Sequence, residues 1–186
     1  MPEASDMISV LVNDHEEIKS YFTQLEATTD AESRRDIADR LTAEVVRHSV
    51  AEEMYLYPAA RDVLPDGDQL VEEELKEHAE AEQLLKEWEG VHGDDPRFMT
   101  LYHQIKTGLL HHIDEEEEPK LFPELQRTLS QERQQELGEK ITAAKKVAPT
   151  RPHPSAPDEP PMNKVLGVPM GIVDRIRDKL SGRETG

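Results

Sequence analysis

The chain has no cysteine among its 186 residues, which excludes disulfides, thiol nucleophiles, thiolate metal sites and iron–sulfur clusters. Any metal must be held by nitrogen and oxygen. Aromatic residues reach only 4%, and no apolar run approaches the roughly 20 residues of a membrane span. The N-terminus, MPEASDMISVLVNDHEE, lacks the basic-then-apolar pattern of a targeting segment, so a cytoplasmic protein with no membrane association is expected. Basic residues are also few, 22 against 40 acidic ones, and the net charge of −18 repels phosphate backbones and anionic lipid. No nucleic-acid partner is expected.

What is present favours helix. Leu, Ala, Glu, Gln, Lys and Arg dominate the first three quarters, all of them strong helix formers. Asp6 or Ser5 can cap a first helix over about 7–28, with Ile8, Leu11, Val12, Ile18, Phe22 and Leu25 on one stripe. A second helix begins near Asp30 and Ser33, carries Ile37, Leu41, Val45 and Tyr55, and runs to Pro58 or slightly beyond. The turn LPDGD at 64–68 leads to a third, with Val71, Leu75, Leu85 and Trp88, ended by Gly90 and Gly93. Asp95 and Pro96 open a fourth, carrying Phe98, Leu101, Ile105 and Leu109 into EEEEPKLFPEL. The expected fold is all-α, an up-down-up-down four-helix bundle over residues 1–146 that includes a short fifth helix capped by Ser130. Residues 147–186 form a proline-rich linker and a short amphipathic segment, VPMGIVDRIRDKL, expected to dock on its own bundle or stay disordered.

Each long helix places a histidine inside its apolar stripe. His15 lies four after Leu11, His48 three after Val45, His78 three after Leu75 and His112 three after Leu109. One inward histidine is usually a hydrogen-bonded core residue; four converging imidazoles without a task would be a large desolvation penalty. Carboxylates follow at helical spacing, Glu52, Glu82 and Glu116 each four after its histidine, so three helices offer a nitrogen and an oxygen to one interior. Measured from the interhelical turns, the four histidines lie within about 6 to 8 Å of one level. Seven such donors exceed the four that zinc takes and suit two six-coordinate ions, of which iron fits best. Tyr55, seven after His48, is either packing or a phenol reaching the site; His111 and Glu117 are reserve donors beside His112 and Glu116. His92 and His103 fall off the stripes, and His153 sits in the linker. RHSVAEEMYLYPAAR resembles HHIDEEEEPKLFPEL, which implies a pseudo-twofold site.

These residues, over roughly 7–127, resemble the hemerythrin family, specifically the bacterial hemerythrin-like HHE cation-binding domain. The resemblance implies that Glu52 and Glu116 bridge two oxo- or hydroxo-linked irons and that His15, His48, His78 and His112 are terminal ligands. Where oxygen carriers have HxxxH on the third helix, this chain has His78 followed by Glu82, which argues against simple reversible carriage. The expected function is a non-haem di-iron protein that binds or reacts with O2, peroxide or NO, in stress protection or sensing, with catalase-like peroxide decomposition as a candidate activity. Alternatives are an iron-responsive module acting through a redox or protein partner, and oxygen or iron storage.

Overall fold

The computed structural model describes residues 6–160, 162–183 and 185, and among them there are helices and no strands. Four rods form the bundle. The first is α1 (Met7–Ala27); the second is α2 (Ala31–Ala51), continued through a π-helical turn (Glu52–Leu56) into α3 (Tyr57–Val63). The third is α4 (Gly67–Trp88). The fourth is α5 (Pro96–His111), continued through a second π-helical segment (His112–Leu121) into α6 (Phe122–Thr128). A fifth rod, α7 (Gln131–Val147), packs on α1 and α2, and α8 (Met162–Ser181) follows the proline-rich stretch.

Short polar residues start these helices as their chemistry requires. Asp6, Asp30, Asp95 and Ser130 accept from the backbone N–H of Ser9, Ser33, Arg97 and Arg133, satisfying donors that the first turn leaves free. Gly90, at φ 75°, ends the loop side of α4 in a left-handed conformation that suits glycine. Gly93 passes so close to the Ala31 carbonyl that a side chain would collide with it.

The apolar core is in two parts. One joins Met7, Leu11, Leu56, Val71, Leu121, Leu125, Leu137 and Ile141; the other joins Ile18, Phe22, Leu41, Val45, Leu85, Trp88, Phe98, Ile105 and Leu109. Between them lies a layer of buried polar side chains. His15 follows Leu11 of one part and precedes Ile18 of the other, and His48 sits in the same way between Val45 and Ala51.

The C-terminal stretch docks on α2 and α4. Asp174 accepts from the backbone N–H of Thr150 and Arg151, each at 3.2 Å, and lies 2.9 Å from His153 Nε2. Arg151 reaches Glu89 at 2.5 Å and Asp178 at 2.7 Å. Helix α8 turns its small and acidic face inward and leaves Ile172, Val173, Ile176 and Leu180 exposed. Among the described residues no helix is long and apolar enough to cross a membrane.

Candidate metal centre

All four stripe histidines meet in the polar layer, in two pairs. His15 Nε2 is 3.2 Å from His48 Nε2, and His78 Nε2 is 3.2 Å from His112 Nε2. Two buried carboxylates, each 0% exposed, link the pairs. Glu52 Oε2 lies 3.2 Å from His48 Nε2 and 3.4 Å from His78 Nε2, while Glu117 Oε2 lies 3.3 Å from His15 Nε2 and 3.4 Å from His112 Nε2. Each carboxylate therefore touches one imidazole of either pair.

The outward nitrogens are fixed by a second set of acids. Nδ1 of His15 contacts Glu118 at 2.9 Å, that of His48 contacts Asp14 at 3.3 Å, and that of His78 contacts Glu53 at 3.0 Å. Nδ1 of His112 has both Glu74 and Glu77 at 2.9 Å. An Nδ1–H held by a carboxylate places the lone pair on Nε2, which is the tautomer that binds a metal. Asp14 is in turn bound by Lys145 of α7, which also reaches Glu44 at 2.7 Å, so the fifth rod steadies His48 at one remove.

The inner oxygens are poorly satisfied. Both oxygens of Glu52 and Oε2 of Glu117 are buried without a hydrogen-bond partner, and so, on the outward side of His112, is Oε2 of Glu74. Bare carboxylate oxygens cost several kcal/mol in such a place unless a cation neutralises them, on the order of the penalty for any buried unpaired charge. Three groupings bring their ligand atoms within 4.8 Å: His15, His48, Glu52 and Glu117; Glu52, His78 and His112; and Glu74, His112 and Glu117. The residues present fit metal ions.

Titration follows this geometry. Burial alone would lower the pKa of His78, but hydrogen bonds to Glu52 and Glu53 outweigh it and push the pKa up to about 9. His112 is buried too, yet Glu117, Glu74 and Glu77 hold it well above its ordinary value. Burial acts to raise Glu117, and the facing His112 and His15 overcome that and hold it well below the usual carboxylate range. Glu53 goes the other way, pushed to about 7 by burial against the opposing pull of His78.

Several expected residues lie elsewhere. Glu116 accepts from Lys120 at 2.5 Å on the outer face, and Glu117 takes the interior position. The cause is the second π-helical segment: in it residues five apart stack, so the carboxylate above His112 is the fifth residue on. The same effect separates Tyr55 from Tyr57. Tyr55 lies outside under Lys164, whose Nζ is 4.4 Å from the ring centroid, while Tyr57, five after Glu52 through the first π turn, lies 2.9 Å from His78 Nε2 and donates to Glu117 at 3.2 Å. Glu82 stays on an unbroken α-helix, turned about 40° from His78, and its carboxylate accepts the His153 N–H at 2.8 Å. His111 is half-exposed among Glu77, Glu115 and Glu116. Sequence reasoning missed Tyr57, Asp14, Glu53, Glu74, Glu77 and Glu118. The internal repeat carried a usable signal for Tyr57: it aligns with Phe122, each followed by proline, and Phe122 stacks on His15 at 5.6 Å where Tyr57 meets His78.

The sequence profile of the hemerythrin HHE cation binding domain matches residues 6–125, more than half of the chain. The chain belongs to the hemerythrin family. A hemerythrin-like protein of Schizosaccharomyces pombe is 29% identical over 181 residues, covering 97% of this chain and 87% of that protein. A DNA nickase of Nostoc is 26% identical over 136 residues, covering 73% of this chain but only 38% of the nickase. No solved structure matches significantly. The matched domain is a cation-binding one, and the cluster could hold a metal; its first half is His15 and His48 backed by Phe122, and its second is His78 and His112 backed by Tyr57.

Proposed function

We propose that the cluster holds two iron ions and serves a reaction with, or the sensing of, O2, peroxide or NO. His15 and His48 would hold one ion, His78 and His112 the other, and Glu52 and Glu117 would be shared between them; Glu74 and Tyr57 are additional oxygens on the second side. The observation that carries the reading is the pairing of four inward Nε2 atoms with two carboxylates that each reach both pairs. Such a pair of irons, when bound, supplies an open position and one electron from each metal to a small ligand.

The chain's own residues shape what arrives there. A cavity of about 220 Å³ lies over His48, His78 and His112, walled by Ile18, Val45, Ala81, Leu84, Ile105 and Leu109, with Ser49, Glu77, Glu80, Gln104 and His111 also lining it. The apolar part of these walls suits small uncharged molecules. The Tyr57 hydroxyl, held between His78 Nε2 and Glu117 Oε1, is a hydrogen-bond donor inside the second half only, so the two halves are chemically unequal. That inequality favours reaction or sensing over simple carriage or storage. We do not extend nicking of DNA to this chain, because a net charge of −18 opposes binding to a phosphate backbone.

Anaerobic addition of ferrous iron to the metal-free protein, followed by O2, peroxide or NO with optical detection, tests the proposal. Spectral change with turnover or a stable adduct supports it; iron-loaded protein inert to all three sinks it. A second reading, an iron-responsive module acting through a partner, draws on the exposed Ile172, Val173, Ile176 and Leu180 face of α8. It requires that face to change its exposure to solvent on metal binding, which hydrogen exchange measures.

A further inference from the structure

On the outer side of α4 a mouth of about 260 Å³ is lined by Glu73, Glu74, Lys76, Glu77, Glu80 and Glu116. A row of acids on a helix is ordinarily a solvated face. Here a buried member changes the reading. Glu74 is only 4% exposed, lines the mouth, and has its Oε2 without a hydrogen-bond partner. Its neighbour His112 Nδ1 sits 2.9 Å from it and equally 2.9 Å from Glu77, and the hydrogen bond of that nitrogen goes to Glu77, which leaves Glu74 without one. Glu74 also groups with His112 and Glu117 at ligand spacing. One side of this residue thus faces the mouth and the other faces the centre.

We propose that the mouth is a transient binding site for divalent cations, through which ferrous iron reaches the centre. Glu73, Glu77, Glu80 and Glu116 collect the ion from solvent, and Glu74 hands it to His112 and Glu117. Lys120 at 2.5 Å from Glu116 and Lys76 at 3.8 Å from Glu80 offset part of the charge and leave the mouth acidic. Such a lined opening focuses the field and raises the local cation concentration. The cavity over His48 shares Glu77 and Glu80 with the mouth, but the rest of its lining is largely apolar and lacks the further carboxylates Glu73, Glu74 and Glu116.

The inference rests on the cluster being a metal centre, and the test separates the two. Full-length metal-free protein is mixed with Co²⁺ at low ionic strength in a stopped-flow instrument, uptake is followed by the visible bands of cobalt, and final content is measured by elemental analysis. The E73Q/E80Q/E116Q variant should load about tenfold more slowly than the unaltered chain and reach the same final content, with the difference shrinking as salt is added. An E132Q/E136Q/E139Q control on α7, which removes the same charge elsewhere, should load at the original rate. Equal rates in the mouth variant, equal slowing in the control, or a reduced final content in the mouth variant each overturn the inlet. An unaltered chain that takes up no metal removes the centre, and the inlet with it.

Discussion

Glu116 and Glu117 are adjacent carboxylates with opposite surroundings, one against Lys120 at the surface and one sealed between His15 and His112. Glu117→Gln should lower the content of both ions together, whereas Glu116→Gln should leave it unchanged, as elemental analysis of both purified variants would reveal. Asp14→Ala, which frees His48 Nδ1, should weaken metal affinity about 10-fold by loosening the ring, measurable by competition with a chelator. Protons compete for the same rings. His78 has its pKa raised from 6.5 to about 9 in the metal-free fold, so the stability it contributes there is complete below about 6.5 and is lost as pH rises through 9. Metal requires the neutral ring, so affinity runs oppositely and rises over that window. Denaturation of metal-free protein and metal titration, each from pH 6 to 9, should show these opposed slopes; parallel slopes would refute the assignment.

At the scale of elements, the rods and their stripes were legible because the 3.6-residue period of apolar side chains survives in the sequence alone. Caps at Asp30, Asp95 and Ser130 were equally plain. The four histidines could be read from their positions inside the stripes. What could not be read was the extra residue in each π-helical stretch, since an i+5 hydrogen bond such as Tyr57 N–H to the Glu52 carbonyl leaves no local mark beyond the prolines that follow it. That one shift displaced the Glu116 expectation and put Tyr57 at the site, leaving Tyr55 to its packing alternative. Glu82 was misread for another reason: its partner is the backbone of residue 153, seventy-one positions away, and no local pattern encodes such a contact. The strap that brings it there turns on Asp174. Asp174→Ala strips the acceptor from two backbone N–H groups and the His153 ring, and should cost about 2 kcal/mol in urea unfolding while metal content stays unchanged.

Over the whole molecule, two apolar clusters supply the burial that holds the fold, and the polar layer between them spends some of that stability. Metal binding should restore it by mass action, since the unfolded chain has no assembled site: about 4 kcal/mol at a free concentration a thousand times Kd. Thermal scans with and without a strong chelator should therefore differ by several degrees or more; coincident curves would mean the layer is satisfied without metal. The most direct measurement is the number of metals per chain in protein purified without additions and after anaerobic ferrous loading, read by elemental analysis against quantitative amino-acid analysis. The account predicts two irons per chain, falling together when Glu52 or Glu117 is replaced. A loaded protein with no metal, or with a single ion insensitive to both carboxylates, would contradict it.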